Sequence, residues 1–354
     1  MKPKSSKKSR EAKNSDEKIF EIRKIQITGG STYLISLPKK WVRKINLGEH
    51  AQVAIYESDI YEGSLIINPH YTETEKTKEI TIKIVDDEGF DLSREIIAAY
   101  LFGYDVIRIE SDQNISPNER DEIKKTTQKL IGIEIMEESS KIISLQCLIS
   151  PMALPLEKTI DRIFLIVSQM LKDAIQAIIT NDEKLADNVV DRDNEVNRLY
   201  FLCVRQLRSS IQDANIARMS KITPLECLDY RVIAKALENA GDYIVEMIKI
   251  FKNNIVAQNI VLPNEVKNEL SEISFMIYKL MTKAKKVMET HLMKLAIEVI
   301  GFDKDKIKKK AENLKRKLQS QKMPEWALAI DSILDLLIKI SDIAGVDIAD
   351  LVMS

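Results

Sequence analysis

The stretch LADNVVDRDNEVNRL, from Leu185 to Leu199, decides the architecture. Leu185, Val189, Val196 and Leu199 fall on one stripe at the helical period, and Cys203 and Leu207 continue it. The pattern predicts a long helix with one apolar face in a core and acidic and amide side chains on the others. Outward from it, Pro or polar breaks at Thr180-Asn181-Asp182, Thr223-Pro224, Leu262-Pro263-Asn264 and Met323-Pro324 divide the chain after Pro155 into six helices. They are expected at about 156–180, 182–213, 223–253, 264–289, 291–320 and 324–353. Six long antiparallel helices can fold as two three-helix bundles.

An internal echo supports a duplication. Lys184-Leu185-Ala186, followed by Val189-Val190 and Asp193, recurs as Lys294-Leu295-Ala296, followed by Val299-Ile300 and Asp303. Leu237 to Asp242 is echoed by Leu337 to Asp342. Both echoes keep their order within a three-helix unit, as a repeated bundle requires.

Upstream the texture changes. Ile80, Ile82 and Ile84 alternate as a strand, and Ser93 to Phe102 reads as a helix stopped by Gly103. Val106 to Ile109 is a strand. Ser116 is a helix N-cap with Pro117 at the first position, and that helix is expected to run to Ile131. With strands at Ile133–Met136 and Ile142–Ile149, residues 74–150 form a small α/β module. Further upstream, two short β runs flank Gly29-Gly30-Ser31-Thr32, a short basic helix follows Pro38, and two more strands follow at Ala51–Tyr56 and Ser64–Ile67. A unit this small buries little alone, so partner strands or a dimer are expected.

The composition bounds the function. The 354 residues, enough for two or three domains, are 45% hydrophobic and 30% charged, with 53 basic and 54 acidic residues. That balance excludes a chain that is basic throughout and an acidic disordered one. Residues 1–18 read as a disordered basic tail without the apolar stretch of a secretory signal. No run of about 18 uninterrupted apolar residues occurs, so no membrane span is expected. Cys147, Cys203 and Cys227 lie far apart, which suits a reduced, cytoplasmic compartment. His50, His70 and His291 are scattered, and no Glu-x-x-His pair occurs, which disfavours His-rich metal sites, ferritin-like chemistry and Ser-His-Asp catalysis. Gly29-Gly30 lacks the Gly-Lys-Ser/Thr ending of a phosphate loop.

Two resemblances add to this reading. Arg23 to Trp41, RKIQITGGSTYLISLPKKW, resembles the AbrB/SpoVT (MazE-like) DNA-binding family: a basic strand, a Gly turn, a strand ending in Leu-Pro, then a short basic helix. The resemblance covers residues 20–68. It implies a swapped-hairpin homodimer that contacts DNA through Arg23, Lys24, Lys39, Lys40, Arg43 and Lys44. The turn here lacks the Arg that many members carry. The alternative is a dimerisation module with a solvated basic rim. The helical half, 156–354, resembles PhoU, the phosphate-uptake regulator family, through Leu185–Leu199 and Leu237–Ile244. This implies two homologous three-helix bundles and metal-binding acidic pairs, which map to Asp193 with Asn197 and Glu238 with Asp242. Asn197 stands where the family pattern has an acid. In the second bundle Asp303 and Asp342 persist, but Ile307 and Ile338 take the partner positions.

Elementary geometry speaks to the same residues. Positions i and i+4 are neighbours on a helix, and two carboxylates there repel unless a cation sits between them. Asp193 and Asn197 lie beside the apolar stripe, facing a groove, whereas Asp187 and Asp191 lie opposite it. Glu238 and Asp242 are expected to point outward. Oxygen-only ligands suit Mg, Ca, Mn or iron. The same residues also fit ordinary polar helix positions.

The expected fold is multidomain and mainly α: a basic tail (1–18), a β-rich head (19–72), the α/β module (74–150) and two three-helix bundles (151–257 and 258–354). The expected function is a cytoplasmic, non-enzymatic phosphate-homeostasis regulator that binds DNA and carries a metal-binding body. The alternatives are an adaptor that restrains a phosphate ABC transporter by protein contact, and a metal-dependent enzyme.

Overall fold

Gly29 and Gly30, both at positive φ, open a three-residue turn, completed by Ser31, between β1 (Gln26–Thr28) and β2 (Thr32–Leu34). The strands pair antiparallel, with Thr28 opposite Thr32. In this computed structural model, residues 20–58, 63–69, 77–85, 89–149, 153–320 and 325–351 are described. The expected tail at 1–18, Pro151 and the break at Met323-Pro324 lie outside them. The chain divides into two compact units, Met1–Thr74 and Glu75–Ser354.

In the first unit, Pro38 precedes α1 (Lys39–Lys44), and a second hairpin joins β3 (Ala54–Glu57) to β4 (Leu65–Asn68). The two hairpins form separate two-stranded sheets. No described residue of this unit is buried. Phe20, Ile22, Ile25, Ile27, Tyr33 and Leu65 are each more than half exposed. Among the described residues, one copy of the unit therefore shows no hydrophobic core of its own.

The second unit begins with the α/β module: β5 (Glu79–Lys83), α2 (Leu92–Phe102), β6 (Val106–Glu110), α3 (Pro117–Gln128), β7 (Ile133–Glu138) and β8 (Ile142–Cys147). The sheet order is β5-β6-β8-β7, with β5 parallel to β6 and the other pairs antiparallel. Ile82, Ile107, Ile109 and Leu145 pack with Ile96, Tyr100 and Ile123 of the helices. Gly103 ends α2 in the left-handed region, and a capping box between Ser116 and Glu119 starts α3. The third-element helix stops at Gln128, short of Ile131. Leu130 is buried in the module core and Gly132 takes positive φ, so these residues turn the chain into β7.

The helical body comprises α4 (Leu156–Thr180), α5 (Glu183–Gln212), α6 (Ala214–Ser220), α7 (Pro224–Phe251), α8 (Asn264–Thr290), α9 (Met293–Glu298), α10 (Lys304–Ser320), α11 (Glu325–Ser341) and α12 (Ile348–Leu351). By length and composition α4 is apolar enough to cross a membrane. Here Ile160, Ile163, Val167, Leu171 and Ala174 are spent on the core. Asn181 caps α4 in the left-handed region and Asp182 caps α5; His291 and Leu292 repeat that arrangement between α8 and α9. The expected stripe of α5 is buried at Val189, Val196, Leu199, Cys203 and Leu207.

Two of the six expected helices are not continuous. Val299–Asp303 and Asp342–Asp347 are π turns inserted between α9 and α10 and between α11 and α12, and a third, Lys252–Val256, extends α7. One extra residue per turn rotates everything beyond it. The helix triplets α4-α5-α7 and α8-α9/α10-α11 share one continuous hydrophobic cluster. The module is tied to α5 by Arg205, buried at 2% exposure, which donates to the carbonyls of Tyr100 and Tyr104 at 2.8 Å and pairs with Asp105 at 2.9 Å.

Candidate functional site

The groove between α5 and α7 gathers the acids named from the sequence. Gly241 sits on α7 directly against Asp193 of α5. A Cβ added there would lie 3.0 Å from Asp193 Oδ1 and 3.6 Å from Val196. The absence of a side chain lets the carboxylate rest on the α7 backbone. Asp193 Oδ2 accepts a 2.8 Å hydrogen bond from Asn197 Nδ2, while Oδ1 is buried without a hydrogen-bond partner. Burial, then the charge of Asp242, pushes the Asp193 carboxyl up to about 6; the Asn197 hydrogen bond opposes this, Glu238 adds to it and Lys249 subtracts.

Asp242 is exposed, as expected. Glu238 is not: its side chain is 12% exposed and forms an ion pair with Lys235 of the same helix turn. The expectation that Glu238 points outward fails because Lys235 folds over it. Lys235 and Arg231 both stand over the Tyr200 ring of α5, at 5.5 and 5.1 Å, which places cations along the rim of the groove. Asp187, expected on the open surface, is exposed and paired with Lys252. Among the described residues, no three His, Cys, Asp or Glu side chains converge as a ready metal cage. What the groove does hold is an acidic pair, Asp193 and Asp242, with no ion pair to either among the described residues.

The counterpart groove of the second triplet is built differently. Asp303 receives Lys283 Nζ at 2.6 Å, and Lys304 Nζ lies 3.2 Å from Asp342. Ile307 is buried at 1% exposure and Ile338 packs on the core.

In the first unit, Lys39, Lys40, Arg43 and Lys44 are all exposed on α1. At 100° per residue they share an arc of about 140°, while Trp41 and Val42 turn to the other side. Arg43 and Lys44 also suit the negative end of the helix. Arg23 pairs with Glu21, and Lys24 is exposed in the extended segment before β1.

Gly241, Lys235 and Lys283 escaped the sequence reading. A glycine in mid-helix next to Asp242 was the one available signal, since helix interiors disfavour it. The lysines reach the acids only through packing.

Residues 160–251 match the PhoU domain family. The matched span runs through α4, α5 and α7 and contains the whole acidic groove. Among solved structures, the chain is similar to PhoU from Pseudomonas aeruginosa, at 17% identity and a TM-score of 0.49, over 56% of this chain and 93% of that one. No curated protein sequence matches the chain.

Proposed function

We propose that the chain is a non-enzymatic regulator of phosphate homeostasis whose PhoU-type helical body acts by contact with a phosphate ABC transporter. The supporting observation is the PhoU domain match over 160–251, which encloses Asp193, Asn197, Glu238 and Asp242. In this reading the groove takes a hard cation: Mg, Mn, Ca or iron. The partnerless Asp193 Oδ1 and the unpaired Asp242 fit such an ion, because both offer oxygen donors in a locally negative field. Glu238 joins them when Lys235 releases it. A bound cation supplies positive charge that relieves the carboxylate repulsion across the α5–α7 groove. The partner is the cytoplasmic ATPase or membrane component of the importer. The test is uptake of radiolabelled phosphate in cells lacking the chain. Uptake that stays high in phosphate-rich medium, and is restored to control by the wild type but not by a chain deleted for 156–354, supports the reading. Unchanged regulation overturns it.

A second mode, DNA binding, is favoured by one observation: the four-cation arc of α1 on a unit with no buried residue among those described. Burial of each large exposed apolar side chain contributes about 1.5–3 kcal/mol, so two copies of this head gain a core by pairing. The paired heads would then present two basic arcs to duplex phosphates. Fluorescence anisotropy with duplex DNA over a salt series tests it. Each phosphate contact contributes about −0.9 to the logarithmic salt slope, so Lys39→Gln with Lys40→Gln lowers the slope by about two per head. Absence of binding at low salt leaves the adaptor mode alone.

A further inference from the structure

The sheet of the α/β module has two edges, and they are built differently. At one edge, β7 carries a bulge between Ile135 and Glu137. Its acids Glu137 and Glu138 are engaged by Arg108 and Arg120. A bulge and a run of like charge are the usual protections of an edge against strand addition. β5 forms the other edge and has neither. It pairs with β6 without interruption, from Glu79 opposite Val106 to Lys83 opposite Glu110.

The backbone fixes what β5 offers on its open side. The carbonyl of Lys78 and the amide of Ile84 bond to the β6 side. Backbone groups alternate sides along a strand, so those of Glu79, Thr81 and Lys83 point away from the sheet. Their side chains are exposed, on the face opposite the helices, whereas Ile82 is buried beneath α2 and α3. Neither Glu79 nor Lys83 has an ion pair among the described residues. Four residues apart on a strand, they sit about 13 Å from each other, too far to pair within one chain.

The strand is its own complement. A twofold axis normal to the sheet at Thr81 sets a second β5 antiparallel to the first and keeps both helix layers on one side. Every outward amide and carbonyl then meets a counterpart. Glu79 faces Lys83 of the second copy, Lys83 faces Glu79, and Thr81 meets Thr81. Ile80, half-buried in one copy, faces Ile82 on the helix side. Opposite charges and Thr–Thr pairs are among the cross-strand pairs that stabilise antiparallel neighbours. Only this register sets each Glu79 against a Lys83. Centring on Glu79 or on Lys83 puts like charges opposite one another, and a shift by one residue sets outward backbone groups against inward ones.

We infer that β5 is a homotypic docking edge: two copies of the chain join their modules through it into one eight-stranded sheet, held in register by reciprocal Glu79–Lys83 pairs. The contact requires neither a cation between α5 and α7 nor DNA at α1.

The test treats the wild-type full chain with a zero-length carbodiimide, isolates the covalent dimer on a denaturing gel and digests it for mass spectrometry. A Glu79–Lys83 link is expected. Thr81→Cys is expected to form a disulfide dimer under copper phenanthroline, and Lys124→Cys, exposed on α3, is not. Adding Glu79→Lys to Thr81→Cys sets lysine against lysine twice and slows that dimer about tenfold. Adding Lys83→Glu as well restores the rate. Helical circular dichroism confirms that each variant is folded, and the carbodiimide arm needs no variant. No covalent dimer, or one linked only through other residues, overturns the inference. So does a disulfide rate that ignores Glu79→Lys or fails to recover on the swap.

Discussion

Asp193→Asn is expected to make the metal-free protein more stable, by an amount that grows from about pH 4 and is complete above about pH 6. The carboxyl is raised from 3.8 to about 6 by burial first and by Asp242 second. Two pH units correspond to about 3 kcal/mol. The residue is only half-buried, so solvent screening reduces this to about 1–2 kcal/mol. The sign follows from proton binding. Between about pH 4 and 6 the folded chain holds a proton on Asp193 that the unfolded chain has released, so stability falls as pH rises through that window. Above pH 6 the full penalty remains. Below pH 4 both states are protonated and it vanishes. Asparagine keeps the shape and still accepts from Asn197 but carries no charge. Thermal unfolding of the helical signal in EDTA, from pH 4 to 8, checks this. At pH 7.5 the variant should melt about 2–8 °C higher, given 2–4 °C per kcal/mol in a domain of this size. At pH 4 the two curves should nearly coincide, and Asp242→Asn should recover part of the gain. A difference independent of pH, or a less stable variant at pH 7.5, would refute the electrostatic account of the groove.

Gly345→Ala should cost about 1–3 kcal/mol although alanine favours helix, because its Cβ would fall 1.9 Å from Leu280 Cδ2; urea unfolding should show the loss and partial rescue by Leu280→Ala in the same chain. Arg205→Met should cost about 3–5 kcal/mol, since it removes one donor each from the carbonyls of Tyr100 and Tyr104 and from the carboxylate of Asp105; limited proteolysis should then cut the 77–149 region faster than the helical body. Ser116→Ala should cost about 1 kcal/mol by breaking the capping box with Glu119, read in the same urea titration.

The long helices were legible because their signals are local. The stripe from Val189 to Leu207 carries its own period, and Ser116-Pro117 and Thr223-Pro224 announce helix starts that the structure forms with both halves of a capping box. The π turns were not legible. An extra residue in a turn leaves the composition unchanged, and Gly301 and Gly345, which sit inside two of them, read as isolated glycines. The short helix Ala214–Ser220 spans too few residues for a period to show. At the candidate site, Asp193 and Asn197 came from the resemblance to PhoU, and their angle to the stripe placed them beside a groove. The fate of Glu238 depended on a lysine rotamer, and that of Asp303 on a lysine contributed by another helix. Such contacts exist only after packing. In the hairpins of the first unit, Ile27, Tyr33, Ile55 and Leu65 carry a strand pattern, yet no described residue of that unit is buried within a single copy.

Helix α5 carries Asp193 near its middle and Arg205 further along the same uninterrupted rod, about 18 Å away at 1.5 Å per residue. One end of that span touches the backbone of α7 through Gly241; the other is bolted to the α/β module through two carbonyls and a carboxylate. A stiff strut fixed at both points transmits displacement instead of absorbing it, so a change in separation between α5 and α7 reaches the sheet as a tilt of its supporting beam.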